Sequence, residues 1–245
     1  NVAAMQQELS FLPAWYGEKD DLVFVEKPDS YYSFLYQNIP NLPQAITQNE
    51  LPKYNGSDIS LWGISPQAVH YFDVLNKEYE GNLNIPKWHD EYKILNSRSN
   101  AKDCLAEIVN RIPQIQSSII PQFCSELGEV DNAVRSSSVQ LLAKAPYSSS
   151  GRGLLWLPTS GLTRTENQIL HGILKKQGSV SVERVLDKQT DFAMEFLADG
   201  EGNIQFAGYS LFETNSKGAY ESNYLGSQQS IERELTQYIP LELLD

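Results

Sequence analysis

Residues 139–155 read VQLLAKAPYSSSGRGLL, and the fold turns on how this stretch is read. Residues 139–143 are apolar enough for a buried strand, Lys144 closes it, and residues 154–157 (LLWL) begin a second strand. Between them lies a turn and then a loop of small residues, Ser148, Ser149, Ser150, Gly151, Arg152 and Gly153. Such a loop can aim several backbone N–H groups at one anion, because glycine admits positive φ and close approach of the backbone to a ligand. Lys144 and Arg152 add positive charge at either end. In its simplest reading the stretch is a device for holding polyphosphate. It also reads as a β-hairpin with a small-residue turn, since Gly and Ser are ordinary turn residues. The stretch alone does not separate the two.

The 245 residues, 41% of them hydrophobic, suffice for one large core or two smaller ones. A net charge of -12 argues against a nucleic-acid partner, which needs a basic face, and against attraction to an anionic membrane surface. It leaves room for a locally basic pocket. Cys104 and Cys124 have neither the spacing of a metal site nor that of a disulfide framework. Two ordinary, semi-buried thiols in a reducing compartment are expected. No run reaches the ~18 apolar residues of a membrane span, and no signal-like segment is present, so a cytoplasmic location is expected. The sequence starts without an initiator Met and stops at LELLD, where the apolar pattern still runs. A chain truncated at both ends is the expectation.

Taken in order, residues 2–12 space Met5, Leu9 and Leu12 as a helix would, ending at Pro13. Residues 22–25 read as a strand. Lys27, Pro28 and Asp29 make a turn, and Asp29 or Ser30 caps a helix over 31–36. Residues 39–52 are rich in Pro and Asn and read as irregular. Residues 59–62 suggest another strand, ended by Gly63, and Ser65 caps a helix over 66–79. Strand and helix in alternation point to an α/β layer with parallel strands. A helix over 100–111 places Cys104, Leu105 and Ile108 on one face. Residues 119–127 suggest a short helix, and 129–138 a linker or surface helix. After the loop, Thr163 or Thr165 caps a helix to Gln177 with Leu170, Ile173 and Leu174 inside. Lys175 and Lys176 suit its C-terminal dipole, and Gly178 stops it. Residues 179–186, 191–197 and 204–212 alternate as three strands of an antiparallel meander. Residues 227–244 suggest one helix broken at Pro240. The reading gives an α/β domain over 1–125 and an α+β domain with an antiparallel sheet over 126–245.

A strand that leaves its sheet at Glu183, Arg184, Val185 and Leu186 exposes backbone C=O and N–H groups that can imitate a base-pairing edge, with the Glu183 carboxylate beside them. An exposed Glu-Arg on a strand is equally an ordinary solvated face. Read together, Lys144, the Ser148–Gly153 loop, strand, helix, the 183–186 hinge and Asp191 opening the next strand resemble the ATP-grasp superfamily across residues 139–196. The resemblance implies an ATP site. Lys144 would contact the α/β-phosphates, the loop including Arg152 would close over them, and Glu183 would face the adenine amine. The backbone of Arg184 and Leu186 would pair with the base, and Asp191 would hold the ribose. Arg98 or Lys102 stands where the superfamily carries an earlier cationic residue, and either reads equally as a helix-surface charge. Serines replace some loop glycines, and their hydroxyls can still donate to phosphate.

LSFLPAWYG (residues 9–17), the Leu61-Trp62-Gly63 turn and Ser97-Arg98 further resemble an uncharacterised bacterial branch of the superfamily, in which a degenerate Rossmann-like domain precedes the grasp domain. Gly208, Tyr209, Thr214, Gly218, Tyr220 and Asn223 resemble that branch's loop near the substrate end. The superfamily's Mg²⁺ ligands, an acid and then Glu-x-Asn on late strands, have no match after Asn223. Glu213-Thr214-Asn215 has the spacing but lies early and reads better as a strand-end turn. The resemblance implies an ATP-dependent carboxylate–amine or carboxylate–thiol ligase when full length, using Mg²⁺ held by residues outside this chain. A phosphotransferase on the same scaffold and a non-catalytic nucleotide-binding module are the alternatives. His70, His89 and His171 are scattered, and the serines form no G-x-S-x-G elbow.

Overall fold

Residues 2–27 and 30–241 are described by the structure, a computed structural model. Two units divide the chain, Asn1–Tyr92 and Lys93–Asp245, each with its own apolar clusters.

The first unit runs α1 (Val2–Glu8), a 3-10 turn at Leu12–Trp15, β1 (Leu22–Phe24), α2 (Ser30–Asn38), β2 (Gln44–Ile46), a 3-10 segment at Gln48–Tyr54 and α3 (Pro66–Glu78). β1 and β2 pair in parallel, Leu22 opposite Gln44. One cluster gathers Ala14, Val23, Val25 and Tyr32, and another Ile46, Leu51 and Leu75. Ser65 caps α3 by accepting the Ala68 N–H at 3.1 Å, and Pro66 occupies the first turn, where a missing N–H costs nothing.

Several expectations change here. α1 stops at Glu8, and the Ser10 hydroxyl donates to the Gln7 carbonyl at 2.7 Å, a local bond that competes with further helix. Pro13 lies inside the following 3-10 turn. β2 and the 3-10 segment occupy the stretch read as irregular, because a three-residue strand is too short to show a period. Residues 59–62 form no strand. Extended pairing there is a single bridge between Asp58 and Asn84, and residues 56–62 line a cavity instead of joining β1. Ser30 lies within α2, and the turn at Pro28 and Asp29 falls outside the described residues. Parallel pairing among the described residues consists of the three-residue β1–β2 pair and the isolated Asp58–Asn84 bridge, and the Rossmann-like expectation is not confirmed.

α4 (Glu91–Leu95) is followed by the elements of the second unit: α5 (Arg98–Arg111), β3 (Gln122–Cys124), α6 (Leu127–Ser136), β4 (Leu141–Lys144), β5 (Leu154–Leu157), α7 (Arg164–Gln177), β6 (Val180–Arg184), β7 (Asp191–Ala198), β8 (Ile204–Thr214), β9 (Tyr220–Asn223) and α8 (Gln228–Leu235). Four strands form an antiparallel sheet in the order β3-β6-β4-β5, and three form a second in the order β7-β8-β9. α6 and α7 cover one face of the first sheet, burying Val130, Val134 and Leu170 against Ala143, Leu157, Val180 and Val182. α8 places Ile231 and Leu235 against Tyr209 of the second. The whole is a mixed α/β architecture with antiparallel sheets.

α7 is punctuated as its sequence dictates. Thr163 Oγ1 accepts the Thr165 N–H at 3.2 Å, the Glu166 carboxylate accepts the Thr163 N–H at 3.0 Å, and Gly178 closes the helix at φ +78°. Other expectations give way to tertiary contacts. Residues 119–127 hold β3, recruited as a partner for β6, in place of a helix. α6 buries Val130 and Val134, so it is a core helix and neither linker nor surface element. On α5 the buried residue is Val109, while Cys104 and Ile108 are exposed; Cys124 is fully buried. Residues 179–186 do not open the meander, because β6 inserts between β3 and β4, and β9 supplies the meander's third strand. α8 ends at Leu235, and the expectation for residues 242–244 lies outside the described residues. No helix among the described residues is long and apolar enough to cross a membrane.

Candidate functional site

β4 is the spine of the site. Its register sets Lys144 opposite Leu154 of β5 and Ser181 of β6, and Leu142 opposite Glu183. Side chains alternate between faces of a strand. Ala143, Val182 and Leu155 therefore point to the face covered by α6 and α7, and Leu142, Lys144, Ser181 and Glu183 to the other. On that face the Lys144 ammonium meets the Glu183 carboxylate in an ion pair, each side chain 22% exposed.

The Ser/Gly loop rises from the same end of β4. Its neck is tied by the Ala145 N–H donating to the Gly153 carbonyl at 2.9 Å. Arg98, in the first turn of α5, anchors the base. Its Nε donates to the Ala145 carbonyl at 3.1 Å and its Nη2 to the Ser148 carbonyl at 3.2 Å. Lys102 pairs with its neighbour Asp103 at 2.9 Å. Ser150, Gly151 and Gly153 all have positive φ, at +53°, +77° and +75°. A Cβ added at Gly151 would lie 2.5 Å from the Ala219 Cα and the Gly218 carbonyl oxygen, so the loop's apex rests directly on the turn between β8 and β9. That turn is organised by Asn215, whose Oδ1 accepts the Lys217 N–H at 2.9 Å and the Ala219 N–H at 3.0 Å. Glu213 and Thr214 are the last residues of β8, and Asn215 opens the turn.

On its other side the loop borders a cavity of about 580 Å³. Ser148, Ser149, Arg152 and Gly153 face Gln168 and Lys176 of α7 across it, and Gln177 ties the loop to the helix by accepting the Tyr147 N–H at 2.9 Å. Lys144, Glu183 and Asp191 do not line this cavity. Lys176 adds a second cation beside Arg152. The sequence reading assigned it only to the helix dipole, and nothing local marks it otherwise.

At the hinge, the Val185 N–H donates to Gln140 of the chain entering β4 at 2.9 Å, and the Leu186 carbonyl accepts the Lys188 N–H at 3.0 Å. The Arg184 guanidinium donates through Nη1 to Ser118 at 3.3 Å, and its Nε is buried without a partner among the described residues. Asp191, the first residue of β7, accepts from Lys188 Nζ at 2.7 Å and Thr214 Oγ1 at 2.8 Å. Burial pushes its carboxyl pKa up, but the hydrogen bonds from Lys188 and Thr214 outweigh this and hold it below the ordinary value. The structure therefore gathers Lys144 with Glu183, gathers the loop with Arg98, Arg152 and Lys176, and sets Asp191 in a separate polar cluster. No group of three or more His, Cys, Asp or Glu side chains among the described residues gathers as a metal site.

No family model and no curated protein sequence matches the chain. Solved structures do. N5-carboxyaminoimidazole synthetase from Staphylococcus aureus, complexed with ADP, is 13% identical, with 94% of this chain and 59% of that chain covered and a TM-score of 0.48. The biotin carboxylase domain of the Hydrogenobacter thermophilus 2-oxoglutarate carboxylase, in complex with MgADP, ADP and bicarbonate, is 15% identical over 70% of this chain and 39% of that one, TM-score 0.47. D-alanine-D-alanine ligase from Helicobacter pylori is 12% identical over 82% and 54%, TM-score 0.37. The chain spans about three fifths, or less, of each of these solved structures.

Proposed function

We propose that the second unit binds ATP and that the full-length protein is an ATP-dependent ligase joining a carboxylate to an amine or thiol through an acyl phosphate. The observation that carries this reading is the Lys144–Glu183 pair on the face of the four-stranded sheet opposite α6 and α7, at the foot of a small-residue loop that reaches across to the second sheet. A nucleotide lying along this face meets a fixed cation and a fixed carboxylate at once. ATP, when bound, supplies a transferable phosphoryl group. Lys144 and Arg152 offset phosphate charge, and the closed loop excludes water and lends backbone N–H groups and serine hydroxyls. Glu183 accepts a hydrogen bond from the adenine amine, the Arg184 carbonyl and Leu186 N–H meet the base edge, and Asp191 accepts from the ribose. Arg98 serves this site by holding the loop's base, since its guanidinium is engaged with the Ala145 and Ser148 carbonyls. Among the described residues no three His, Cys, Asp or Glu side chains gather, and each role above belongs to this chain's own residues rather than to a metal.

Calorimetry on the chain tests the nucleotide site. A hydrogen bond to a charged group is worth about 1.5–3 kcal/mol, so Lys144→Ala should weaken ATP binding by roughly 10- to 100-fold. Unchanged affinity removes the main support for the proposal. Release of ADP and phosphate that depends on both an added carboxylate and an added amine or thiol identifies the ligase in the full-length protein. ADP without free phosphate identifies the phosphotransferase alternative, and binding without turnover a nucleotide-binding module.

A further inference from the structure

We infer that the first unit carries a binding site for an organic ammonium compound, in a cavity of about 660 Å³ between β1 and residues 56–62. The cavity lies in the size range of small-molecule sites, roughly 300–1,000 Å³. Leu22, Val23 and Phe24 all line it. Successive side chains of a strand point to opposite faces, so three in a row means that the cavity opens on the strand's edge. Among the described residues β1 pairs with β2 alone, and the edge facing the cavity presents backbone donors and acceptors to whatever enters.

The charge of the lining selects the ligand. Asp20, Asp21 and Asp58 border the cavity, and no Lys, Arg or His does. None of the three aspartates makes an ion pair among the described residues. Asp21 accepts the Glu18 N–H at 2.8 Å and Asp58 the Asn84 side-chain amide at 2.9 Å, neutral bonds that leave the charges uncompensated. Carboxylates alone would be a solvated acidic surface. Here they share the rim with Tyr16 and Trp62, whose ring centroids lie 6.1 Å apart and which stay 64% and 82% exposed. Exposed aromatic faces beside unpaired carboxylates attract a cation, and the apolar Leu51 and Phe72 beneath favour one with an apolar body. An anion is repelled. The inference stands on this cavity alone and is independent of the nucleotide reading.

Four probes of one shape test it on the whole chain without nucleotide: phenethylamine, its N,N,N-trimethyl derivative, 2-phenylethanol and 3-phenylpropionate. Binding is followed by the amide signals of Val23, Phe24 and Asp58 and the indole signal of Trp62 in two-dimensional NMR. The two cations should saturate these shifts at least about tenfold more tightly than the alcohol, and the acid should not bind. Asp20→Asn with Asp58→Asn should weaken the cations about fivefold or more and leave the alcohol unchanged. Trp62→Ala, at a site too exposed to disturb folding, should weaken the trimethyl probe most. Equal affinity for cation, alcohol and acid overturns the inference. So do shifts centred outside the cavity, or no saturable shift from any probe at about 10 mM.

Discussion

Alanine at Gly151 and at Gly178 separates backbone strain from loop contact. Both glycines have left-handed φ, +77° and +78°. In that region a Cβ costs about 1–2 kcal/mol whatever surrounds it. At Gly178 nothing lies within 4 Å of the added Cβ, so strain is the whole cost. At Gly151 the same atom would come 2.5 Å from the Ala219 Cα, 2.5 Å from the Gly218 carbonyl oxygen and 2.7 Å from the Ala219 nitrogen. Carbon pairs are most stable near 3.5–4.0 Å, so the two segments must separate by about 1 Å. All three obstacles are backbone, held by the Asn215 side chain, and no rotamer change removes them. If the contact survives, overpacking adds about 1–3 kcal/mol to the strain. If it does not, the loop swings off the β8–β9 turn and the cost appears as local opening. Amide hydrogen exchange distinguishes these. Residues 148–153 and 215–219 should exchange faster in Gly151→Ala than in Gly178→Ala, with ATP affinity falling in the first and not in the second. Thermal unfolding should shift by about 2–4 °C for each kcal/mol in a chain of this size. Equal exchange at 215–219 in the two variants would refute the claim that the loop's apex bears on that turn.

Two further outcomes follow from titration and burial. Asp191 has a folded pKa held below the ordinary 3.8, so its contacts with Lys188 and Thr214 stabilise fully above that value and are lost as pH falls through the lowered one. Wild type and Asp191→Asn should therefore differ in unfolding temperature at neutral pH and converge in acid; a constant gap would mean that the charge is not what stabilises. Burial pushes the Cys124 thiol up to about 11, with the Glu129 charge adding to it, whereas Cys104 is exposed. Iodoacetamide on the native protein, read by mass spectrometry, should modify Cys104 first, and early labelling of Cys124 would contradict its place in the core.

What could be read in advance was local. A Thr163 cap, an apolar stripe through Leu170 and a terminating Gly178 define α7 because capping and a 3.6-residue period act within a few residues of chain. The lysine at the end of β4 and the strand after the loop were legible for the same reason. The three-residue strands β2 and β3 were not, since they exist only because distant partners pair with them. Neither was the buried face of α5, which depends on what Val109 packs against. Glu183 could be suspected as a hinge carboxylate, but its meeting with Lys144 required β6 to leave the expected meander and lie beside β4. Caps, turns and periods are thus properties of neighbouring residues and belong to the sequence. Strand order, the ion pair, the loop's rest on residues 218–219 and the acidic aromatic cavity are properties of residues far apart in the chain, and only tertiary packing brings those together.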